Sequence, residues 1–296
     1  ILQRLERYSP AARRRFLWCM AGAPFFVGGV AIVVTLLPTM SHELGWALDH
    51  CHSHGNEHGH LCWYHPATFH VFSGLGLMAL VSFLFSSLHA VSAVRKLWRH
   101  AQETRTLMSF ATPDTDGVYR LESDVPGAFT AGFLSPRKLI TQGLEQALTP
   151  VELNVVQLHE SVHAARHDPL QVFLFKLFMQ LFPRSVRMRL NGMFEVAVEQ
   201  DADTFVAGQM QDRLIIATTL IKVSRLAARV SPQQWVSTSC HFGADALEQR
   251  ICLLLDEKRY LPFPARTILA VLGLLTAVSV YYAETLHHYI EYFISH

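Results

Sequence analysis

The chain has 296 residues, of which 50% are hydrophobic and 17% charged. Its mean hydropathy is +0.21, so the chain is more apolar than an ordinary globular protein and is predicted to contact a lipid membrane. The formal net charge is only +1, and no lysine- and arginine-rich tract is interleaved with aromatic residues. We therefore predict no nucleic-acid partner.

Three apolar runs predict membrane-spanning helices, at residues 16–37, 71–94 and 267–283. The first run has no charged residue and is long enough to cross a hydrocarbon core of about 30 Å. It also exceeds the apolar part of a signal peptide, about 7 to 15 residues, so we predict a permanent anchor rather than a cleaved leader.

Lysine and arginine lie before the first run, after the second and before the third, whereas residues 38–70 and 284–296 contain neither. Because such flanking cations stay on the cytoplasmic side, residues 1–15 and 95–266 are predicted to be cytoplasmic. Residues 38–70 and 284–296 are then extracytoplasmic, and the predicted location is the inner membrane of a bacterium.

Residues 95–266 form the predicted folded domain. Short β-prone runs broken by glycine and proline, within residues 118–141, predict a small strand region. A helix is predicted from Thr149 and Pro150, since threonine can cap it and proline fits its first position. Residues 170–182 are apolar but short, which favours a buried or membrane-surface helix over a fourth span.

The stretch LHESVHAARHDP, residues 158–169, lies on that predicted helix. Residues four apart share a helix face, so His159 and His163 can offer imidazole nitrogens to one zinc ion while Glu160 holds a water. A catalytic site needs a third ligand and one position for water. Candidates for the third ligand are Glu195 and Glu199, one turn apart on a second predicted helix, with Asp203 a further turn along the same face.

Histidine occupies 17 positions, so a chance match to His-Glu-x-x-His is a real risk. His42 and Glu43 begin the same pattern, for example, but Trp46 stands where the second histidine would be. The placement of the later match on a predicted helix, together with a second helix that carries Glu199 and Asp203, favours a metal site over solvated or core histidines.

These residues resemble the BlaR/MecR antirepressor family of membrane zinc metallopeptidases, whose pattern is His-Glu-x-x-His-x-x-Arg-x-Asp. Arg166 and Asp168 match its extension, and PGAFTAGFLSPRKLI resembles the family's Pro-Phe-Thr-x-Gly-x-x-x-Pro-Arg-Ile stretch. EQDAD matches a ligand motif shared with HtpX peptidases, and STSCHFGADALEQRI is a looser likeness to another. The resemblance covers roughly residues 118–255.

The resemblance implies a gluzincin zinc metalloprotease domain, and thus a mainly α, α+β polytopic membrane protein. It implies one catalytic zinc ion bound by His159, His163 and Glu199, with Glu160 as general base and then as proton donor. It also implies residues that orient the ligands: Asp203, Asp168 and Arg166. A further group would pair with an extended substrate by β-addition: Phe129, Thr130, Gly132 and Phe133.

The chain departs from the family pattern at several positions. Lys138 stands where the strand motif is usually apolar, and Cys240-His241 replaces Thr-His-Pro. By the resemblance His241 is a candidate for transition-state stabilisation, but because of this departure an ordinary loop histidine is the favoured interpretation. For Arg250, a structural helix salt bridge is favoured over catalysis.

Residues 38–70 contain a second candidate metal site, for an additional transition metal. Its members are imidazoles and thiols, which favour zinc, copper or nickel: His50, Cys51, His52, His54, His58, His60, Cys62 and His65. The alternative is a disulfide between Cys51 and Cys62 in a polar loop, and both can hold at once.

The sequence thus predicts a membrane zinc metalloendopeptidase that cleaves a cytoplasmic protein or peptide, by resemblance a transcriptional repressor or the protease itself. A signal or metal at residues 38–70 would regulate it. The alternatives are a constitutive quality-control protease of HtpX type and a non-proteolytic membrane protein that binds or transports metal. The sequence leaves the oligomeric state open, with a homo-oligomer among the options.

Overall fold

The computed structural model describes residues 5, 7–43, 74–114, 117–230, 243–256, 260–261 and 263–282. These residues form nine α-helices and four short strands. In chain order they are α1 (Pro10–Glu43), α2 (Gly74–Ser109), β1 (Ala111–Pro113), β2 (Val118–Leu121), β3 (Ala128–Ala131), β4 (Arg137–Thr141), α3 (Gln142–Ala147), α4 (Pro150–Arg166), α5 (Asp168–Phe178), α6 (Arg184–Met210), α7 (Arg213–Val230), α8 (Gly243–Leu255) and α9 (Ala265–Tyr281). A single 3-10 turn, Met179–Leu181, follows α5.

The chain divides into two compact units. The larger unit comprises Ile1–Ala21 and Ala93–Phe263, and the smaller comprises Gly22–Ser92 and Pro264–His296. The predicted domain limits, 95 and 266, fall inside α2 and α9 rather than at breaks in the chain. All contacts described below lie within the larger unit.

The predicted membrane topology is wrong. Among the described residues, no helix combines the length and the apolar composition that crossing a membrane requires. The prediction of three spans, at residues 16–37, 71–94 and 267–283, is overturned by this finding. The predicted inner-membrane location and the assignment of the intervening segments to two sides of a bilayer rested on those spans and are overturned with them.

The physical reasons differ between the three runs. Leu17 and Ala21 are buried in the core of the larger unit, and the remaining residues, 22–37, extend only about 24 Å as a helix. The apolar part of α2 is interrupted by four serines and by His89. The helix α9 has 17 residues and is about 26 Å long, which falls short of a hydrocarbon core of about 30 Å.

The strands form one four-stranded sheet in the order β1-β2-β4-β3. The strands β2 and β4 are parallel, whereas the two outer pairs are antiparallel. Three of the strands lie within residues 118–141, where short β-prone runs predicted them. Because β3 pairs only with β4, one edge of β3 has no strand beside it among the described residues.

The helix α4 begins as its sequence predicts. Thr149 accepts a hydrogen bond from the backbone N–H of Glu152, and the Glu152 carboxylate accepts one from the Thr149 N–H at 2.8 Å. This capping box satisfies donors that the first helical turn leaves free. Pro150 occupies the first position of the helix, where the missing N–H costs nothing.

Three apolar clusters hold α4 and its neighbours. One joins the sheet to α3 and α4 through Val118, Ile140, Leu144, Leu148 and Val156. A second joins α4 to α6, α7 and α8 through Val155, Val206, Ile216, Ala217 and Leu254. A third joins α1 to α5 and α6, with the buried Phe175 and Phe194 rings stacked 4.1 Å apart. These clusters place α4 between the sheet and α6.

A residue with a left-handed backbone conformation, His167, separates α4 from α5. His167 has φ 54° and ψ 40°, a conformation that ends the α-helical path of α4. The next residue, Asp168, begins α5 and is buried, with only 2% of its surface exposed. The sharp turn brings the Asp168 carboxylate back beside His163, five residues earlier, which a continuous helix would not do.

Candidate metal centre

Two histidines of α4 face one glutamate of α6. Nε2 of His159 lies 3.0 Å from Nε2 of His163 and 3.2 Å from Oε2 of Glu199. Nε2 of His163 lies 3.6 Å from Oε1 of Glu199. The three side chains therefore form a group that could hold a metal ion.

The spacing of these atoms fits a tetrahedral ion. Zinc binds histidine nitrogen and carboxylate oxygen at about 2.0 to 2.2 Å, which places two ligand atoms about 3.4 Å apart at tetrahedral angles. The separations here, 3.0, 3.2 and 3.6 Å, lie on both sides of that value. Two imidazoles and one carboxylate would fill three corners of such a site and leave the fourth for water.

The first histidine is oriented by Asp203 and Arg250, which we call the Asp203 branch. Nδ1 of His159 lies 3.1 Å from Oδ1 of Asp203, a fully buried carboxylate on α6. Arg250 of α8 binds both oxygens of Asp203, at 2.7 and 2.8 Å, and its Nη1 lies 3.0 Å from Oε2 of Glu199. The Arg250 guanidinium thus binds Asp203, which contacts His159, and also binds Glu199.

The second histidine is oriented by Asp168 and Arg14, which we call the Asp168 branch. Nδ1 of His163 donates to Oδ2 of Asp168 at 2.8 Å. The other oxygen of Asp168 accepts from Nη2 of Arg14, on α1, at 2.6 Å. In both branches a carboxylate accepts from Nδ1, so Nε2 of each histidine is the nitrogen that would bind a metal once the imidazole is neutral.

The charges around the site shift several pKa values. Burial by itself lowers the pKa of His159, but hydrogen bonds to Asp203 and Glu199 raise it to about 10. Burial likewise opposes the charge of His163, whereas the Glu199 carboxylate and the bond to Asp168 raise its pKa. Burial raises the pKa of both Glu199 and Asp203, yet Arg250 and the imidazoles hold both below their usual range.

Glu160 follows His159 on α4 and is buried, with 8% of its surface exposed. The hydroxyl of Thr130, on β3, lies 2.7 Å from Oε2 of Glu160 and 3.0 Å from its backbone carbonyl oxygen. A strand residue thus donates to the carboxylate that the sequence predicts as general base. Beside it on β4, Lys138 donates to Ser161 of α4 at 3.1 Å.

The remaining residues that were predicted to pair with a substrate, Phe129, Gly132 and Phe133, lie on β3 or directly after it. Phe129 is on β3, while Gly132 follows it with φ 100°, in the left-handed region that favours glycine. The Phe133 ring contacts His100 and Phe173, with ring centroids 5.5 and 5.0 Å apart.

Arg166 and Glu195 form no hydrogen bond or ion pair with His159 or His163. Nη1 of Arg166 donates to Asp201 at 2.8 Å, and its guanidinium lies over the Phe205 ring. Glu195, the alternative ligand, forms an ion pair with Lys176 instead.

Two arginines that contact residues of this site were not assigned to it from the sequence. Arg14 belongs to the run Arg13–Arg15, which was predicted to precede a membrane-spanning helix. Nothing in the sequence of that run distinguishes Arg14, which is buried, from Arg13 and Arg15. Arg250 was expected to form a structural salt bridge rather than to act in catalysis, and it does form salt bridges, with Asp203 and Glu199 of α6. The spacing of Glu199 and Asp203 places two carboxylates on one helix face. Such a pair indicates a cationic partner, and this was the signal in the sequence for Arg250.

Some predictions fall outside the residues that the structure describes. These are the role of His241 and the second metal site formed by His50, Cys51, His52, His54, His58, His60, Cys62 and His65, together with the alternative disulfide. They stay predictions from sequence.

Comparison of the chain with models of protein families, with curated proteins and with solved structures finds no match in any of the three. The similarity to the BlaR/MecR family therefore rests on the sequence motifs quoted above, and the assignment to that family stays a prediction.

Proposed function

We propose that this chain is a zinc metalloendopeptidase in which Glu160 is the general base. The observation that carries the proposal is the three-ligand group formed by His159, His163 and Glu199, with Glu160 directly beside the first ligand on the same helix. Two histidines and one glutamate are a donor set that catalytic zinc uses. When bound, zinc supplies a water acidified toward a pKa of about 7 and polarises the scissile carbonyl.

Glu160 would take the proton of the attacking water on its carboxylate and then deliver it to the nitrogen of the departing amine. Thr130 supports this role because its hydroxyl holds Oε2 of Glu160 at 2.7 Å and so fixes the direction of the carboxylate. Burial of Glu160 keeps bulk water from competing for that position.

The substrate that fits this site is an extended peptide segment. The strand β3 lies at the edge of the sheet and carries the threonine that contacts Glu160. An extended segment can add to that edge through backbone hydrogen bonds, which give affinity with little sequence preference. By the resemblance, the natural substrate would be a transcriptional repressor or the chain itself.

The test is the Glu160→Gln variant of the full chain, with an unfolded protein such as casein as substrate. Zinc content should stay at one per chain, while the cleavage rate falls by roughly 100- to 10,000-fold, the usual contribution of a general base. Glu195→Gln is the matched control, since Glu195 lies on the same helix as Glu199 but is half-buried and pairs with Lys176. Its cleavage rate should not change.

Cleavage that persists in Glu160→Gln would refute the role of Glu160. An unsubstituted chain that binds zinc but cuts no peptide bond would favour a metal-binding protein without proteolysis. The two results are distinguishable because zinc content and cleavage are measured on the same samples.

A further inference from the structure

We propose that Arg14 is a positioning residue of the metal centre, which fixes Asp168 and through it the His163 imidazole. The inference rests on the zinc site of the proposed function but not on proteolysis. Arg14 and Asp168 are 154 residues apart in the chain, so the first turns of α1 would complete a site whose ligands lie on α4 and α6.

The guanidinium of Arg14 is shared among three partners. Its Nη2 lies 2.6 Å from Oδ1 of Asp168 and 2.9 Å from Oε1 of Gln171, while its Nη1 lies 2.9 Å from Oδ2 of Asp201. The side chain is 9% exposed, and that of Asp168 is 3% exposed. A planar fork buried between carboxylates of α5 and α6 has one favourable orientation, and its partners are held accordingly.

This arrangement uses both oxygens of Asp168. One accepts from Arg14, and the other accepts from Nδ1 of His163. Without Arg14, the carboxylate would keep only its bond to the imidazole and could rotate within the space that the guanidinium leaves. His163 would then lose part of its fixed direction toward the metal, and carboxylates that orient histidine ligands typically affect metal affinity by about 10- to 100-fold.

A structural role for Arg14 alone makes a different prediction. Arg14 also helps to attach α1 to α5 and α6, where Leu17 and Ala21 join a buried apolar cluster. If the arginine served only this attachment, its replacement would lower the stability of the fold but leave the zinc affinity of the folded molecules unchanged. Metal affinity therefore separates the two roles.

The experiment measures the zinc dissociation constant of the full chain by competition with a chelator, for Arg14→Met and for the matched control Arg15→Met. Arg15 is the next residue on α1, but it is exposed and its guanidinium lies over the Phe263 ring. Arg14→Met should weaken zinc binding by about 10-fold, and Arg15→Met by less than about 2-fold. The visible spectrum of the Co²⁺-loaded chain should shift only in the first variant.

A double substitution tests whether Arg14 acts through Asp168. Asp168→Asn alone should weaken zinc binding by about 10-fold. Adding Arg14→Met to it should produce no further loss, because the arginine then has no oriented carboxylate to hold. Independent, multiplied losses would overturn the proposal.

Arg14→Lys decides the question if Arg14→Met does not fold. Lysine keeps the buried positive charge, but a single ammonium cannot bridge Asp168 and Asp201 as the fork does. We expect it to weaken zinc binding by about 3-fold or more. A folded lysine variant with unchanged zinc affinity and an unchanged Co²⁺ spectrum would overturn the role of Arg14, whereas a lack of cleavage with normal zinc binding would count only against the proposed proteolysis.

Discussion

The two branches of the metal centre do the same task with different parts of the chain. In the Asp203 branch, the carboxylate lies one turn after the ligand Glu199 on α6, and Arg250 comes from α8. In the Asp168 branch, the carboxylate follows the motif helix across a left-handed turn, and its arginine comes from α1. The first is assembled from neighbouring helices, while the second depends on a distant segment.

The branches also differ in how many ligands they reach. Arg250 contacts both Asp203 and Glu199, so the Asp203 branch touches two of the three ligands. Arg14 contacts Asp168 and Asp201, of which only Asp168 touches a ligand. A change in the Asp203 branch should therefore disturb the site more than the equivalent change in the Asp168 branch.

Removing the ligands themselves should have the largest effect and should not distinguish the branches. His159→Ala and His163→Ala each delete one of three protein ligands. Since structural zinc sites gain about 10 to 16 kcal/mol from four ligands, each substitution should weaken zinc binding by roughly 100- to 1,000-fold. The measurement is chelator competition, and His100→Ala, at an exposed position, is the control. Affinity retained in either ligand variant would argue against the three-ligand site.

Replacing the carboxylates should reveal the asymmetry. Asp203→Asn should weaken zinc binding by about 100-fold, because it loosens His159 and also changes how Arg250 holds Glu199. Asp168→Asn should cost about 10-fold, since Arg14 keeps Asp201 as a partner and only His163 is loosened. Circular dichroism checks that both variants fold. Equal losses, or a larger loss for Asp168→Asn, would contradict the asymmetry.

The hydrogen bond to Glu160 comes from the sheet rather than from either branch. Thr130→Val keeps the side-chain shape but removes the hydroxyl that lies 2.7 Å from the Glu160 carboxylate. Hydrogen bonds to charged groups contribute about 1.5 to 3 kcal/mol, so kcat should fall by roughly 10-fold or more while zinc affinity stays the same. Thr130→Ser should restore most of the rate. A loss of zinc instead of kcat would assign Thr130 to the metal rather than to the base.

The parts of the site that the sequence could predict are those set by local periodicity. His159 and His163 are four residues apart on one helix, as are Glu199 and Asp203 on another, and such pairs share a face whatever the tertiary fold. The strand region and the start of α4 were also predictable, because glycine, proline and a capping box act over a few residues.

The rest depends on contacts between distant segments. Nothing near Arg14 in the sequence shows that it meets Asp168, and the apolar run after it suggested a membrane span. The apolar run gave a wrong prediction of a membrane span because Leu17 and Ala21 pack in the protein core, in one cluster with Phe175 and Phe194. Composition reports how apolar a segment is, but not which apolar surface covers it.

Proton release on zinc binding is the most sensitive comparison of the two branches. Zinc requires neutral imidazoles, so any proton bound to them must leave when it binds. The pKa of His159 is raised to about 10 in the metal-free site, so this imidazole is still charged at pH 8 and loses a proton when zinc binds. An ordinary histidine, with a pKa of about 6.5, would release almost none at that pH.

The size of this release should depend on which branch is changed. The hydrogen bond to Asp203 is the foremost interaction that raises the pKa of His159, whereas the Glu199 charge outweighs Asp168 in raising that of His163. At pH 8, Asp203→Asn should therefore lower the number of protons released by more than Asp168→Asn does. Calorimetry in buffers of different ionisation enthalpy measures this number, and any proton lost by zinc-bound water contributes to all the proteins compared. Equal release from the two variants and the unsubstituted chain would show that Asp203 does not hold His159 in its charged form.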